Sequence, residues 1–159
     1  MANQESQVVK LAAVEGFFHD PEWYRPLIFG TNLYMNVTYV LPGISMVMGS
    51  KKEREAEKLE RILFVLSGTL QVTHGEEQFT LSREMALLIP LEGETAYEVR
   101  NIGKEPARFL SVFSPPPHPE LKIESRDQLR RLYEEKGRIV RSSADMKKVI
   151  GSLAREEEV

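Results

Sequence analysis

Short apolar segments separated by turn residues run through the middle of the chain. Residues 33–41 alternate apolar and polar side chains, a pattern that predicts a half-buried strand. Ile62–Leu66 and Met85–Ile89 are unbroken apolar runs, which we expect to form strands covered on both faces. Residues 97–100 alternate again, and residues 108–113 supply a last core strand. Because glycine and proline punctuate these segments, the pattern predicts an all-β sandwich or barrel.

The period of the apolar positions changes after the three prolines at 115–117. An apolar stripe at helical spacing covers residues 129–133, and Ser125 with Gln128 precedes it in the order of a capping box. A second stripe at 146–153 predicts a second helix. We expect these C-terminal α-helices to pack on the outside of the barrel or against a partner chain.

At 159 residues the chain is long enough for one domain with a real core. The patterns divide it into an N-terminal arm at 1–30, a barrel at 31–115, and a linker with helices at 116–159. The polar residues 1–8 are expected to fray.

Net charge and amino-acid composition exclude several classes of partner and of chemistry. The net charge of -3 gives no general attraction to nucleic acid or to an anionic membrane. Cysteine is absent, which excludes disulfides and thiol catalysis. The sequence has no apolar run of about 20 residues and no signal-peptide pattern at its start. We therefore expect a cytoplasmic protein without nucleic-acid or membrane partners.

Leu63–Gly68, together with four later positions, resembles the two sequence motifs of the cupin superfamily. The later positions are Ile89, Pro90, Gly93 and Asn101. The chain is similar to a small single-domain cupin of the RmlC-like type. The resemblance implies a double-stranded β-helix, which is a jelly-roll barrel, followed by C-terminal helices. It also implies a homodimer, in which pairing would cover the barrel edges.

The positions of the family's four metal ligands are substituted in this sequence. Where the family has two His, a Glu and a third His, this chain has Glu55, Glu57, Arg61 and Tyr97. Carboxylates and a phenol offer oxygen ligands to a hard cation, but a guanidinium is always charged and repels one. We therefore expect no metal or other cofactor. An ion pair between Arg61 and Glu55 or Glu57 is expected to take the place of the ion.

The register of this strand leaves one alternative open. In the family register Arg61 shares a face with Leu63 and Val65 and points into the barrel. A β-bulge would shift the count, so that Glu60 faces inward and Arg61 outward.

The remaining candidate residues have structural explanations. His74 is expected on the surface in a turn, whereas His19 and His118 lie in proline-rich segments outside the motifs. Asn101 is expected to stabilise a turn. Tyr34 is expected to pack in the core, with a pocket wall as the alternative.

Three functions are compatible with this pattern, because fold alone does not decide function. The first is a protein that binds a small molecule in the barrel without a metal, with Glu55, Glu57, Arg61 and Tyr97 at the ligand. There Arg61 would clamp a carboxylate or phosphate. The second is an enzyme, either a metal-free isomerase or epimerase that uses Tyr97 and Glu57, or an atypical metal-dependent dioxygenase. The third is a structural or interaction module.

Overall fold

Two antiparallel β-sheets face each other and form the barrel. The computed structural model describes residues 5–14, 16–19, 21–48, 60–90, 97–116 and 124–135. Its strands are β1 (Phe17–His19), β2 (Glu22–Phe29), β3 (Tyr34–Val40), β4 (Ser45–Met48), β5 (Glu60–Ser67), β6 (Leu70–His74), β7 (Glu77–Leu81), β8 (Ala86–Ile89), β9 (Tyr97–Asn101) and β10 (Ala107–Ser114). The larger sheet has the order β1-β2-β3-β10-β5-β8, and the smaller has the order β4-β9-β6-β7. This arrangement confirms the predicted all-β jelly roll, with β1 and β2 extending the larger sheet into the predicted N-terminal arm.

The main core lies between the two sheets. Leu63 and Val65 of β5 and Phe109 of β10 pack there against residues of the smaller sheet, such as Leu70 and Val72. Successive side chains of a strand point to opposite faces. The odd-numbered residues of β5 and β10 therefore fill the barrel.

Strand β3 is covered on both faces, which makes the prediction of a half-buried strand wrong. Its apolar residues Val37 and Tyr39 do not fill the barrel; they join Trp23 and Leu11 in a separate cluster on the outer face of the larger sheet. Its polar residues instead point between the sheets, because Thr38 pairs directly with Phe109 of the core. Alternation alone cannot show which face of a strand the barrel encloses, so it does not reveal that the polar face of β3 lies inside.

The outer face of β5 and β8 is partly exposed, which corrects the expectation that both apolar runs are covered on both faces. Ile62 and Leu88 are cross-strand neighbours and are 43% and 53% exposed. Leu63 and Ile89, on the inner face, are buried. Strand β8 forms an edge of its sheet, and no described element packs over this part of the outer face.

The helix α1 (Arg126–Glu135) follows the barrel. The Ser125 hydroxyl accepts a hydrogen bond from the backbone N–H of Gln128, as predicted, while the Gln128 side chain accepts one from the N–H of Glu124. Leu129 is 2% exposed and belongs to a cluster with Tyr34 and Phe113 of the barrel. The helix thus packs against the barrel through Leu129, and a contact with a partner chain stays a prediction. The stripe at 146–153 lies outside the described residues. Among those residues, the structure contains no helix with the length and apolarity to cross a membrane.

The N-terminal segment is attached to the larger sheet. The side-chain amide of Gln7 donates to the carbonyl of Phe29 at 2.9 Å and accepts from its N–H at 3.4 Å. A short 3-10 helix, Leu11–Ala13, follows. The prediction that residues 1–8 fray is therefore wrong for Gln7, since its amide completes the backbone hydrogen bonding of β2.

Two predicted turn residues have the expected roles. Gly68 has a φ of 89°, a conformation that glycine adopts readily, and a Cβ there would lie 2.6 Å from the Cβ of Ala107. The Asn101 amide donates to the carbonyls of Val40 at 2.8 Å and Glu105 at 2.7 Å, and accepts from the N–H of Gly103 at 2.9 Å. Asn101 therefore fastens the turn before β10 to strand β3.

Candidate binding site

Arg61 and Tyr97 meet inside the barrel. They lie on strands of different sheets, β5 and β9, and the Arg61 Nη1 donates a 2.9 Å hydrogen bond to the Tyr97 hydroxyl. Glu55 and Glu57, the other two predicted site residues, lie outside the described residues. The expected ion pair with one of them therefore stays a prediction, and the phenol of Tyr97 is the partner that the structure gives to Arg61.

The strand register sets the direction of Arg61. Arg61 is separated by two and four residues from Leu63 and Val65, which are both buried in the core between the sheets. Glu60 is exposed. Arg61 therefore faces inward, as the family register predicts, and the alternative in which Glu60 faces inward is wrong. That alternative needs a β-bulge, whereas β5 pairs regularly with β8 from Arg61 to Phe64.

Aromatic rings surround the guanidinium. The Arg61 Cζ lies 4.5 Å from the ring centroid of Phe113 and 5.4 Å from that of Tyr97, both within cation–π range. Phe113 packs against Tyr34, with 5.5 Å between ring centroids. Both of these rings belong to the cluster that Leu129 completes from helix α1. The guanidinium of the partly buried Arg61 therefore contacts two aromatic rings inside the barrel.

Tyr97 is held in its neutral form. It is 2% exposed, and this burial raises the pKa of its phenol above the ordinary value of 10.0. The positive charge and the hydrogen bond of Arg61 lower this pKa, and the negative charge of Glu22 raises it, but burial has the largest effect. Its hydroxyl oxygen accepts from Arg61, so the hydroxyl proton points elsewhere, and no residue in the described part of the chain accepts it. Arg61 and Tyr97 thus both present donors to the barrel interior.

Sequence reasoning missed a row of polar side chains on the inner face of β3. The Thr38 hydroxyl donates to the Asn36 Oδ1 at 2.9 Å, and the Asn36 Nδ2 donates to the Tyr34 hydroxyl at 3.2 Å. Asn36 pairs across the sheet with Ser111 of β10. All four side chains are buried. The alternation in the sequence shows that Tyr34, Asn36 and Thr38 share one face of the strand, but it does not show that this face lies inside the barrel.

His74 lies nearer to the site than its sequence suggested. Strand β6 runs through His74, which is half-buried and pairs directly with Tyr97 of β9. Paired residues of an antiparallel sheet share a face, so the expectation that His74 occupies a surface turn is wrong. The turn follows it at Gly75 and Glu76. His118 lies outside the described residues, as does the side chain of His19.

Arg61 and Tyr97, at the described positions that the motif resemblance assigns to metal ligands, do not fit a divalent cation. Within the described ranges, no group of three or more His, Asp or Glu side chains converges in a way that would hold a metal ion. The two ligand positions that the structure describes carry a guanidinium and a neutral phenol, joined by a hydrogen bond. A cation placed between them would face the permanent charge of Arg61.

Comparisons with known proteins agree with the fold. Residues 45–113 match the family model of the cupin domain. An RmlC-like cupin from Shewanella frigidimarina is similar with 13% identity over 72% of this chain and 96% of that chain, at a TM-score of 0.58. The cupin domain of an XRE family transcriptional regulator from Enterobacter cloacae is similar with 18% identity over 60% of this chain and 97% of that chain, at a TM-score of 0.51. Ectoine synthase from P. lautus is similar with 17% identity over 62% of this chain and 67% of that chain, at a TM-score of 0.50. No curated protein matches the chain. At these identities the likeness establishes the fold.

Proposed function

We propose that this domain, of which residues 45–113 match the cupin family model, binds a small organic acid inside its barrel, with Arg61 at a position that the motif resemblance assigns to a metal ligand. The single observation that carries the proposal is the hydrogen bond from Arg61 to the neutral hydroxyl of Tyr97. This bond orients a guanidinium and a phenol toward the same interior space. The domain then works as a binding or sensing module.

The electrostatic argument rests on Arg61. Among the residues that the structure describes, no carboxylate forms an ion pair with it, and its contacts are the hydroxyl of Tyr97 and the rings of Tyr97 and Phe113. A guanidinium that is partly buried against aromatic rings is stabilised by an opposite charge at close range. A bound carboxylate would supply the missing charge, and the planar guanidinium could hold both of its oxygens.

The hydrogen-bond directions also favour an anion. Tyr97 accepts from Arg61 and keeps its own proton for another acceptor. An arginine and a neutral tyrosine offer N–H and O–H donors, which a carboxylate accepts as charge-assisted bonds. The rings of Phe113 and Tyr34 provide apolar surface for the carbon atoms of the acid. The combination of a few directed polar groups with aromatic walls is typical of small-molecule sites.

A calorimetric titration with sodium pentanoate tests this proposal. We expect the wild-type chain to bind pentanoate, and the Arg61→Met variant to bind it at least tenfold more weakly, because a hydrogen bond to a charged group contributes about 1.5–3 kcal/mol. Arg61→Lys keeps the charge but not the planar fork, and should be intermediate.

Arg108→Met is the matched control for this titration. It removes the same charge from the same sheet, but Arg108 pairs with Tyr39 on the outer face and donates to the hydroxyl of Ser67. We expect this variant to bind pentanoate like the wild type. Equal binding by all four proteins, or no binding by any, would contradict the proposal.

A further inference from the structure

The outer face of strands β5, β8 and β10 carries a continuous apolar patch. Strand β5 pairs with β10 on one side and with β8 on the other, so the outward side chains of these strands lie in rows across the sheet. The two rows, which we call the outer patch, are Leu88, Ile62 and Val112, and Ala86, Phe64 and Leu110. Ile62 and Leu88 are both exposed, so the patch presents large aliphatic side chains to solvent.

The outer face of the smaller sheet is polar, so the outer patch is not a general property of this barrel. Glu98 and Arg100 of β9 point outward there and pair with Thr73 and Gln71 of β6. Val47 of β4 is exposed and apolar, but it lies beside Glu98. Single exposed apolar residues are ordinary, whereas a contiguous apolar patch with polar ends marks an interaction surface.

Opposite charges border the outer patch at its two ends along the strands. Glu60 pairs with Ser114 at one end and is exposed. Arg108 pairs with Ser67 at the other end and donates from its Nε to the Ser67 hydroxyl at 3.2 Å. Between these ends, the outward positions of the described strands β5, β8 and β10 carry no charged residue. The two charges thus lie about 20 Å apart along the strands, at a rise of about 3.4 Å per residue.

We propose that the outer patch is the interface through which two copies of this chain form a symmetric dimer. The twofold axis lies in the plane of the interface and runs across the strands. A rotation about this axis brings the Glu60 end of one patch over the Arg108 end of the other, which forms two equivalent ion pairs around an apolar centre. An axis along the strands would instead bring Glu60 against its own copy, which like charges disfavour.

A second copy fits this surface because the patch supplies both charges of each ion pair. Self-association then leaves neither Glu60 nor Arg108 without an opposite charge, while Ile62 and Leu88 of both copies are removed from water. Two sheets that pack face to face in this way resemble the layers of a β-sandwich. This face-to-face contact differs from the edge pairing that the family resemblance implies. The inference is also independent of the proposed function, because Arg61 points to the other face of β5.

Sedimentation velocity of the full chain in a dilution series tests the apolar part of the interface. We expect the wild type to form a dimer, and Ile62→Asp to raise the dimer dissociation constant at least about a hundredfold, because the dimer would bury two carboxylates in an apolar contact. Val47→Asp is the matched control, since it places the same charge on an exposed strand residue of the opposite outer face. This variant should dimerise like the wild type.

A charge exchange tests the orientation of the two copies. Glu60→Arg and Arg108→Glu should each raise the dissociation constant at least about tenfold, because each brings like charges together twice in the dimer. The double variant, Glu60→Arg with Arg108→Glu, restores both ion pairs with reversed sign and should dimerise nearly as well as the wild type. Such a rescue is not expected from a change that merely destabilises the fold.

Each other outcome overturns the inference. A wild-type chain that stays monomeric up to about 1 mM would mean that another partner, or another part of this chain, covers the outer patch. A dimer that persists in Ile62→Asp, or that is lost equally in Val47→Asp, would place the interface elsewhere. A double variant as weak as the single ones would refute the proposed axis. If the melting temperature shows that Ile62→Asp is unfolded, the charge exchange alone decides.

Discussion

The Arg61 guanidinium and the Tyr97 hydroxyl are joined by a 2.9 Å hydrogen bond across the interior of the barrel. The two residues are 36 positions apart in sequence and lie on strands of different sheets. Both residues stand at positions that the motif resemblance assigns to metal ligands. The hydrogen bond holds two donor groups, a guanidinium and a phenol, close together in the barrel. The proposed function is based on this pair of donors.

The first prediction concerns the alkaline titration of Tyr97. Because burial raises the pKa of its phenol above 10.0, the folded state binds the phenolic proton more tightly than the unfolded state does. The stability from this proton is fully present below pH 10.0 and is lost as the pH rises through the raised pKa. The phenolate absorbance of the wild type minus that of Tyr97→Phe should therefore appear only above that pH. A difference that develops below it would contradict this description of the site.

The second prediction concerns Asn101, which bonds two carbonyls and one N–H in the turn before β10. Asn101→Ala leaves three backbone groups without these partners, including the buried carbonyl of Val40, so the free energy of unfolding should fall by about 2–4 kcal/mol. Urea denaturation measures this change. The exposed Asn32 supplies the control, and Asn32→Ala should stay within about 0.5 kcal/mol of the wild type. Equal stability of the two variants would show that the turn does not depend on Asn101.

The third prediction concerns the contact between helix α1 and the barrel. Leu129 is buried with Tyr24, Phe29, Tyr34 and Phe113. Leu129→Ala should lower the free energy of unfolding by about 2–5 kcal/mol, because it leaves a cavity among these rings. Arg131→Ala, on the exposed side of the same helix, should have little effect. Hydrogen exchange of the helix amides provides the local measurement, and unchanged protection in Leu129→Ala would mean that this contact does not hold the helix on the barrel.

The fourth prediction concerns metal content. Since Arg61 and Tyr97 do not suit a divalent cation, the protein purified without a chelator and without a His-tag should contain manganese, iron, nickel and zinc far below one ion per chain. Inductively coupled plasma mass spectrometry measures these elements. A near-stoichiometric metal that is retained in Arg61→Met would show that the ion binds elsewhere. A metal that is lost in a variant of Tyr97 would contradict the description of the site.

The sequence predicted the barrel because its apolar runs and turn residues are local signals. The roles of Gly68 and Asn101 could be predicted from spacing within short segments. The same spacing left the inward position open between Arg61 and Glu60, and its assignment of four substituted metal-ligand positions stays a prediction. The cytoplasmic location, the homodimer and the ligand-binding roles of Glu55 and Glu57 stay predictions.

The polar residues of β3 and the position of Leu129 could not be predicted, for a physical reason. Alternation along β3 places Val37 on one face of the strand and Asn36 and Thr38 on the other. Which of these faces lies inside the barrel depends on where Trp23 and Leu11 pack. The apolar stripe of helix α1 shows that one face is buried, and it carries no information about which surface covers it. These features depend on contacts between residues far apart in sequence, which periodicity does not report.

Nuclear magnetic resonance of the side-chain Nε–Hε group of Arg61 tests the central claim most directly. The signal is identified in isotope-labelled protein by its loss in Arg61→Met, and pentanoate is then added to the wild type. If the carboxylate binds the guanidinium, this signal should shift in a saturable way, while the corresponding signal of Arg108 on the outer face should not. An Arg61 signal that stays in place at saturating pentanoate, or that moves no more than that of Arg108, would contradict the account.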